Sequence, residues 1–299
     1  MKQSFEKKSR FTRRGPISRR AIIISSIIEA VILFAITLGF VFKNEVGQLL
    51  GTMYGPPQVT LQETYQEKPD GPTVDHSAFD ALLKKYVTPD GLVNYKNLAD
   101  DSSSLDQYIE TLAAAPFEKL GRNEKLALLI NAYNAFTLRL ILDYYPIDSI
   151  ISIPAESRWD DVRWTIAGRK YSLNQIEHQE IRPKFNEPRI HFSLVCAAVS
   201  CPKLRNEAYV GKRINEQLDD QAKYAFAHPK WFTFDPVTDT VKLTMLLNPA
   251  WYGSDFDQSK AGSALKFAAQ YAPRLKQALD ERAEITIQWI EYEWALNTQ

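Results

Sequence analysis

Apolar positions follow three patterns along this chain. The first is a predominantly apolar run, Ala21 to Phe42 (AIIISSIIEAVILFAITLGFVF). At about 1.5 Å per residue it is long enough to cross a bilayer core of about 30 Å. The second is a helical period. In DHSAFDALLKKY, Phe79, Leu82, Leu83 and Tyr86 share one face. Asp101–Ala115 and Arg213–Ala227 read as further helices, and Phe256–Leu279 as mostly helical. Leu126–Leu142 (LALLINAYNAFTLRLIL) has little polar surface. It is therefore expected to be the buried centre of the fold, stopped at Tyr145-Pro146. The third pattern is alternation. RWTIAGRKYSL predicts a hairpin turning at Gly168, Arg189–Cys196 a strand, and WFTFD and TVKLTML two strands joined by DPVTD. EITIQWIEYEW predicts a terminal strand. Ser172 and Gln175 are spaced as a capping box opening a short helix through Arg182, which Pro183 halts.

Helices and hairpins alternate here without regular βαβ spacing, so the expected class is α+β. The expectation is a single domain over 75–299, built round a buried central helix with several short antiparallel strands. Residues 43–74 contain GTMYGPPQ and EKPDGPT and sustain no apolar period, so they read as a linker.

Charge gives the apolar run its meaning. Residues 1–20 hold eight basic side chains against Glu6 alone. Such a block before a span keeps the N-terminus cytoplasmic. The exit, GFVFKNEVG, offers no small-x-small cleavage site, which favours one uncleaved transmembrane anchor at 21–42 over a signal peptide. Glu29 within the span is expected to be protonated or close to the cytoplasmic edge. Residues 44–299 carry 27 basic and 34 acidic side chains, a balance with no footprint for nucleic acid. The expected arrangement is a single-pass protein of the inner membrane with a periplasmic or extracellular domain. That compartment permits disulfides.

Candidate chemistry concentrates in HFSLVCAAVSCP, residues 191–202, which holds both cysteines of the chain and one of its four histidines. Period two along the expected strand puts Cys196 with Phe192 and Leu194 on a core-facing side. Cys201 precedes Pro202, where a helix could begin and its N-terminus would favour a thiolate. On that reading Cys201 is the better nucleophile. His178, beside Glu177, and His191 are the candidate bases, each with a bland alternative as a satisfied core-edge histidine. His76 and His228 look like domain-edge residues. Asn131 and Asn134 interrupt an apolar helix, so their amides must be hydrogen-bonded, either to neighbouring loop backbone or to an imidazole or substrate. Trp159, Trp164, Trp251 and Tyr252 are expected in the core or at its rim.

INAYNAFTLRLI, SLNQIEHQEIR, RIHFSLVCAAVSCPKL and the terminal YEWALN together resemble the DUF547 family, over Phe79 to Asn297. The chain is similar to a bacterial, membrane-anchored member. The resemblance implies a common fold and a shared polar constellation, with no settled activity. Related domains also occur in the plant cytosol, which implies that the thiols are not there only to form a disulfide. The chain departs from the family pattern at Glu293, where Asp is expected, and before INAYN, where an aromatic is expected.

Three functional readings remain open. The preferred one is a scaffold or binding module closed by a Cys196–Cys201 disulfide, with a protein or cell-envelope ligand. The second is a thiol-dependent hydrolase or transferase, with Cys201 as nucleophile, His178 or His191 as base, and Glu177 or Asn134 orienting the imidazole. The third is a zinc site drawn from Cys196, Cys201, His191 and His178.

Overall fold

The structure is a computed structural model that describes residues 55–281 and 284–299. The basic segment, the apolar run with Glu29, and the first part of the linker lie outside the described residues. The helical periods of the sequence become helices: α1 (Ser77–Tyr86), α2 (Ser102–Ala113), α3 (Arg122–Tyr144) and α4 (Ile214–Ala227). All four apolar residues of the α1 face are buried.

α3 is the centre, as its composition requires. From Lys125 to Leu138 every residue is buried, because α2, the segment after the hairpin and the loop before α4 cover all of its faces. Among the described residues it alone is long and apolar enough to cross a membrane, and its burial makes it a core helix. Asn131 and Asn134 are held as the bland reading expected, on loop backbone. Asn131 donates to the Tyr209 carbonyl at 2.7 Å and accepts from its N–H at 2.9 Å. Asn134 donates to the Ser193 carbonyl and accepts from the Val195 N–H, both at 3.0 Å. Each amide thus supplies one donor and one acceptor, as a neighbouring strand would.

The strands are short. β1 (Trp164–Ile166) and β2 (Arg169–Tyr171) form the expected hairpin. Its turn is made by Ala167 and Gly168, both at positive φ, which suits the right-handed twist of a tight hairpin. β3 (Phe232–Asp235) pairs antiparallel with β4 (Thr240–Thr244). β5 (Thr286–Ile290) then adds to β4 in parallel, which corrects the all-antiparallel expectation. The Phe256–Leu279 stretch is three short helices, Gly253–Gln258, Ala264–Ala269 and Pro273–Asp280, separated where Ser259–Gly262 and Ala272-Pro273 interrupt the period. Two apolar clusters result, one round α3 and one between α4, the β3–β5 sheet and the last helices.

Two expectations fail in ways that matter. The alternating stretch Arg189–Cys196 is not a strand. Pro188 opens a 3₁₀ turn over Pro188–Phe192, capped by the Glu187 carboxylate on the Arg189 N–H, and irregular chain follows. Nearly every side chain there is buried, because the segment runs along the seam between the two clusters: Ile190, Leu194 and Val195 enter one, Phe192 the other. Nor does a helix start at Pro202; the chain stays irregular until the turn at Gly211–Arg213. Cys201 therefore has no helix N-terminus beside it.

The described part of the expected linker is docked on the domain. The Pro57 carbonyl accepts from Arg182 at 2.8 Å, Glu63 pairs with Arg122, and Tyr65 packs between Phe117 and Phe185.

Candidate functional site

The cysteine loop is held from two sides. From below, Asn134 takes the backbone of Ser193 and Val195. From above, the C-terminal tail pairs with it: Val199 N–H donates to the Ala295 carbonyl, Asn297 N–H to Ala197, and Glu293 N–H to the Ser200 hydroxyl. Ala197 sits at φ +61°, a left-handed conformation that an alanine adopts only when its surroundings enforce it. This turn folds the chain back so that the two cysteines meet.

They meet as free thiols, with sulfurs 2.8 Å apart. The expected Cys196–Cys201 disulfide is therefore not present. The pair is asymmetric, and its sense is the reverse of the sequence reading. Cys201 is buried, and burial pushes its thiol well above the ordinary value, with the neighbouring Cys196 sulfur adding to the rise. The Cys196 N–H also donates to the Cys201 sulfur at 2.8 Å, which by itself favours charge there, but burial outweighs it. Cys196 is half-buried. The hydrogen bond between the two sulfurs holds its thiol below the ordinary value against burial, assisted by Tyr292, whose hydroxyl lies 3.0 Å from the sulfur. Tyr292 belongs to an aromatic group with Trp251 and Trp294, at ring separations of 5.0 and 4.6 Å. Trp251 and Trp164 are buried, while Trp159 and Tyr252 are half-buried at the rim.

Both imidazoles are engaged elsewhere. His178 lies on an Ile176–Ile181 π-helical turn that continues the Ser172/Gln175 capping box. Its Nδ1 is 3.0 Å from an Arg182 guanidinium nitrogen. Arginine has no lone pair to offer, so Nδ1 accepts and the neutral ring carries its proton on Nε2. Burial, partly opposed by Glu177, lowers the His178 pKa and keeps the ring neutral. His178 is thus a donor at its outer nitrogen rather than a ready base. His191 is buried, with Nε2 donating to Asp255 at 2.9 Å and its ring stacked on Tyr252 at 4.1 Å. Neither ring reaches a sulfur within hydrogen-bond distance among the described residues.

Arg182 and Asp255, which the sequence reading did not single out, tie these groups together. The Arg182 side chain is wholly buried and forks onto Asp255 at 2.7 and 2.9 Å. Burial raises the Asp255 carboxyl, but hydrogen bonds from His191 and Arg182 overcome this and hold it at about 2. Burial likewise pushes Glu177 up, and His178, His191, Tyr252 and Arg182 together bring it below the ordinary carboxylate range. The result is a largely buried chain, His178–Arg182–Asp255–His191, with ionised Glu177 close enough to oppose charge on Cys196, an effect the hydrogen bonds to that sulfur outweigh. Asn134 is spent on backbone. The four proposed zinc ligands do not converge, and among the described residues no three His, Cys, Asp or Glu side chains gather as a metal set. Of the other histidines, His228 is exposed as expected, whereas His76 is buried with Nδ1 2.7 Å from the Tyr108 hydroxyl.

Residues 117–225 match the model of a protein family of unknown function, DUF547. The match supports the domain family that the motifs suggested. The matched segment takes in α3, the π-helical turn with His178 and Arg182, the cysteine loop and most of α4. Asp255 and Tyr292, which complete the site, lie beyond it. No curated protein and no solved structure matches the chain.

Proposed function

We propose that this chain is a membrane-anchored domain of thiol–disulfide chemistry, facing the periplasm or exterior, with Cys196 as the attacking thiol and Cys201 as the resolving one. The observation that supports it is the paired, unequal setting of two free thiols: one half-buried and hydrogen-bonded, the other fully buried 2.8 Å from it. The thiolate attacks and the less buried partner meets substrate first, so the roles fall to Cys196 and Cys201 in that order.

The step balances without a cofactor. Cys196 thiolate attacks a substrate disulfide R–S–S–R′, its S–S bond breaks, and R′–S⁻ leaves to take up a proton. The Cys201 thiol then gives its proton to the departing R–S⁻ as its sulfur attacks Cys196. Two electrons pass to the substrate, and the chain is left with a Cys196–Cys201 disulfide. The disulfide preferred from the sequence is then the oxidised half of a cycle. The hydrolase reading needs an imidazole on the sulfur, and here His191 is given to Asp255 and His178 to Arg182.

A redox titration of the full chain, read by mass spectrometry after thiol alkylation, tests this. The expected result is reversible loss of two thiols together and, in the reduced protein, faster alkylation of Cys196 than of Cys201. Alkylation of Cys201 first, or no Cys196–Cys201 bond under any oxidising buffer, overturns it. A reporter fused after Gln299 tests the topology, which fails if the reporter is active only in the cytoplasm.

A further inference from the structure

The last sheet strand does not behave as an ordinary edge. β5 lies at one side of the β3–β4–β5 sheet, and no strand among the described residues pairs with its outer side. Its residues, Thr286, Ile287, Gln288, Trp289 and Ile290, include no charge, no proline and no glycine. Natural edge strands are normally blunted by lysine, proline or a bulge, because their free N–H and C=O groups template another strand. β5 has none of these devices inside it, and it leaves Ile287 40 % and Trp289 37 % exposed. Two residues beyond its end is Tyr292, whose hydroxyl touches Cys196. At roughly 3.3 Å per residue, the end of β5 lies about 7 Å along the chain from the backbone of Tyr292, whose side chain then reaches Cys196.

We infer that β5 is the substrate-docking edge of the thiol site, where an extended polypeptide carrying a disulfide adds as a further strand and presents its sulfur to Cys196. This rests on the thiol–disulfide reading and names its substrate class. Strand addition gives affinity through backbone hydrogen bonds and selectivity through alternate side chains, for which Ile287 and Trp289 are the apolar contacts. Charge selects among occupants. The sequence flanking β5 is acidic on balance, with Glu281, Glu284, Glu291 and Glu293 against Arg282, and the four glutamates are exposed. A second copy of this chain would bring mostly like charges together at the ends of the pairing, four glutamates against one arginine on each strand, which is unfavourable. A small anionic disulfide meets the same carboxylates. A neutral or basic extended segment meets neither obstacle.

The test uses the full chain and two disulfides that release the same chromophore: neutral 2,2′-dithiodipyridine, and a short Val/Thr peptide with terminal lysines whose central cysteine is bonded to 2-thiopyridine. The variant is Ile287→Ser with Trp289→Ser, which leaves Cys196, Cys201 and Tyr292 in place. The expected result is about a tenfold slower reaction with the peptide, some 1.4 kcal/mol, and an unchanged rate with dithiodipyridine. Unchanged rates with both overturn the docking edge. If both rates fall together, the wild-type chain decides with a Gly/Pro version of the peptide that cannot form a strand. Equal rates for the two peptides then overturn the proposal, and a tenfold deficit for the Gly/Pro version sustains it. If wild-type chain reacts with neither disulfide, the thiol reading fails. Binding of the Cys→Ser peptide then judges the edge alone, read as a tryptophan fluorescence change that wild type shows and the double variant lacks; the same change in both, or none in wild type, overturns it. A concentration-dependent dimer lost in the double variant assigns the edge to a second copy and overturns the proposal.

Discussion

α3 and the loop Pro188–Cys201 are almost equally buried, yet they satisfy their backbones in opposite ways. The helix closes its own hydrogen bonds and asks its neighbours only for packing. The loop closes few of its own. It depends on Asn134 below and on the tail residues Glu293, Ala295 and Asn297 above. The contrast shows that a segment can be fixed without regular structure when side-chain amides and a distant piece of chain stand where a strand would. It also explains why chemistry gathers in the loop: irregular backbone can hold a left-handed Ala197 and aim two sulfurs at each other, which a helix cannot.

The largest effect should come from breaking the charged group that flanks the loop. Asp255→Ala leaves Arg182 buried without its partner, and a loss of about 3–5 kcal/mol is expected, read by urea unfolding. A loss below about 1 kcal/mol would show that water or a rearrangement replaces the carboxylate. Next is the helix itself. Ile130→Ala removes a fully buried side chain and should cost about 2–5 kcal/mol. Because α3 is self-sufficient in hydrogen bonds, this variant should leave the relative reactivity of the two thiols unchanged.

Acid gives a third, slightly smaller handle on the helical side. Burial lowers His76 from 6.5 to about 4. Its ring is neutral in the folded chain at pH values where the unfolded chain would protonate it, so the unfolded state binds more protons between those limits. Stability from this group is therefore complete above about pH 6.5 and lost progressively down to about pH 4, by about 3 kcal/mol in total. Urea midpoints measured across that range should fall with pH in wild type and fall less in His76→Phe. Asn134→Ala joins the two regions. It strips two loop backbone groups of their partner and should cost about 1–3 kcal/mol, with the added result that Cys201 becomes easier to alkylate. Smallest is Tyr292→Phe, which removes one hydrogen bond from Cys196 and should raise that thiol's pKa with a stability change near 1 kcal/mol. An unchanged alkylation profile against pH would show that Cys201 alone sets it.

The same contrast separates what the sequence made legible. Helices α1 to α4, the β1–β2 turn and the Ser172/Gln175 box depend on near neighbours, and local spacing announces them. Asn131 and Asn134 were readable as satisfied amides because burial of α3 was readable. The loop was misread as a strand, since alternation of apolar and polar residues signals two faces only when one face meets water, and at the seam both are buried. A second error reversed the roles of the cysteines, because Cys201 took its importance from a helix that Pro202 does not start. Arg182 lay within a motif that carried the family resemblance, but nothing local separates it from a surface arginine. Its partner, Asp255, sits 73 residues away in a segment of ordinary polar character.

The tail that covers the cysteine loop, residues 293–297, comes from far later in the sequence than the loop itself. Synthesis runs in the same order. α3 and its helical neighbours have what they need to assemble first, but the loop waits for the hydrogen bonds to Glu293, Ala295 and Asn297 until those residues have been made. The thiols are thus enclosed after the helical core, and in that interval they stand less protected than in the folded domain.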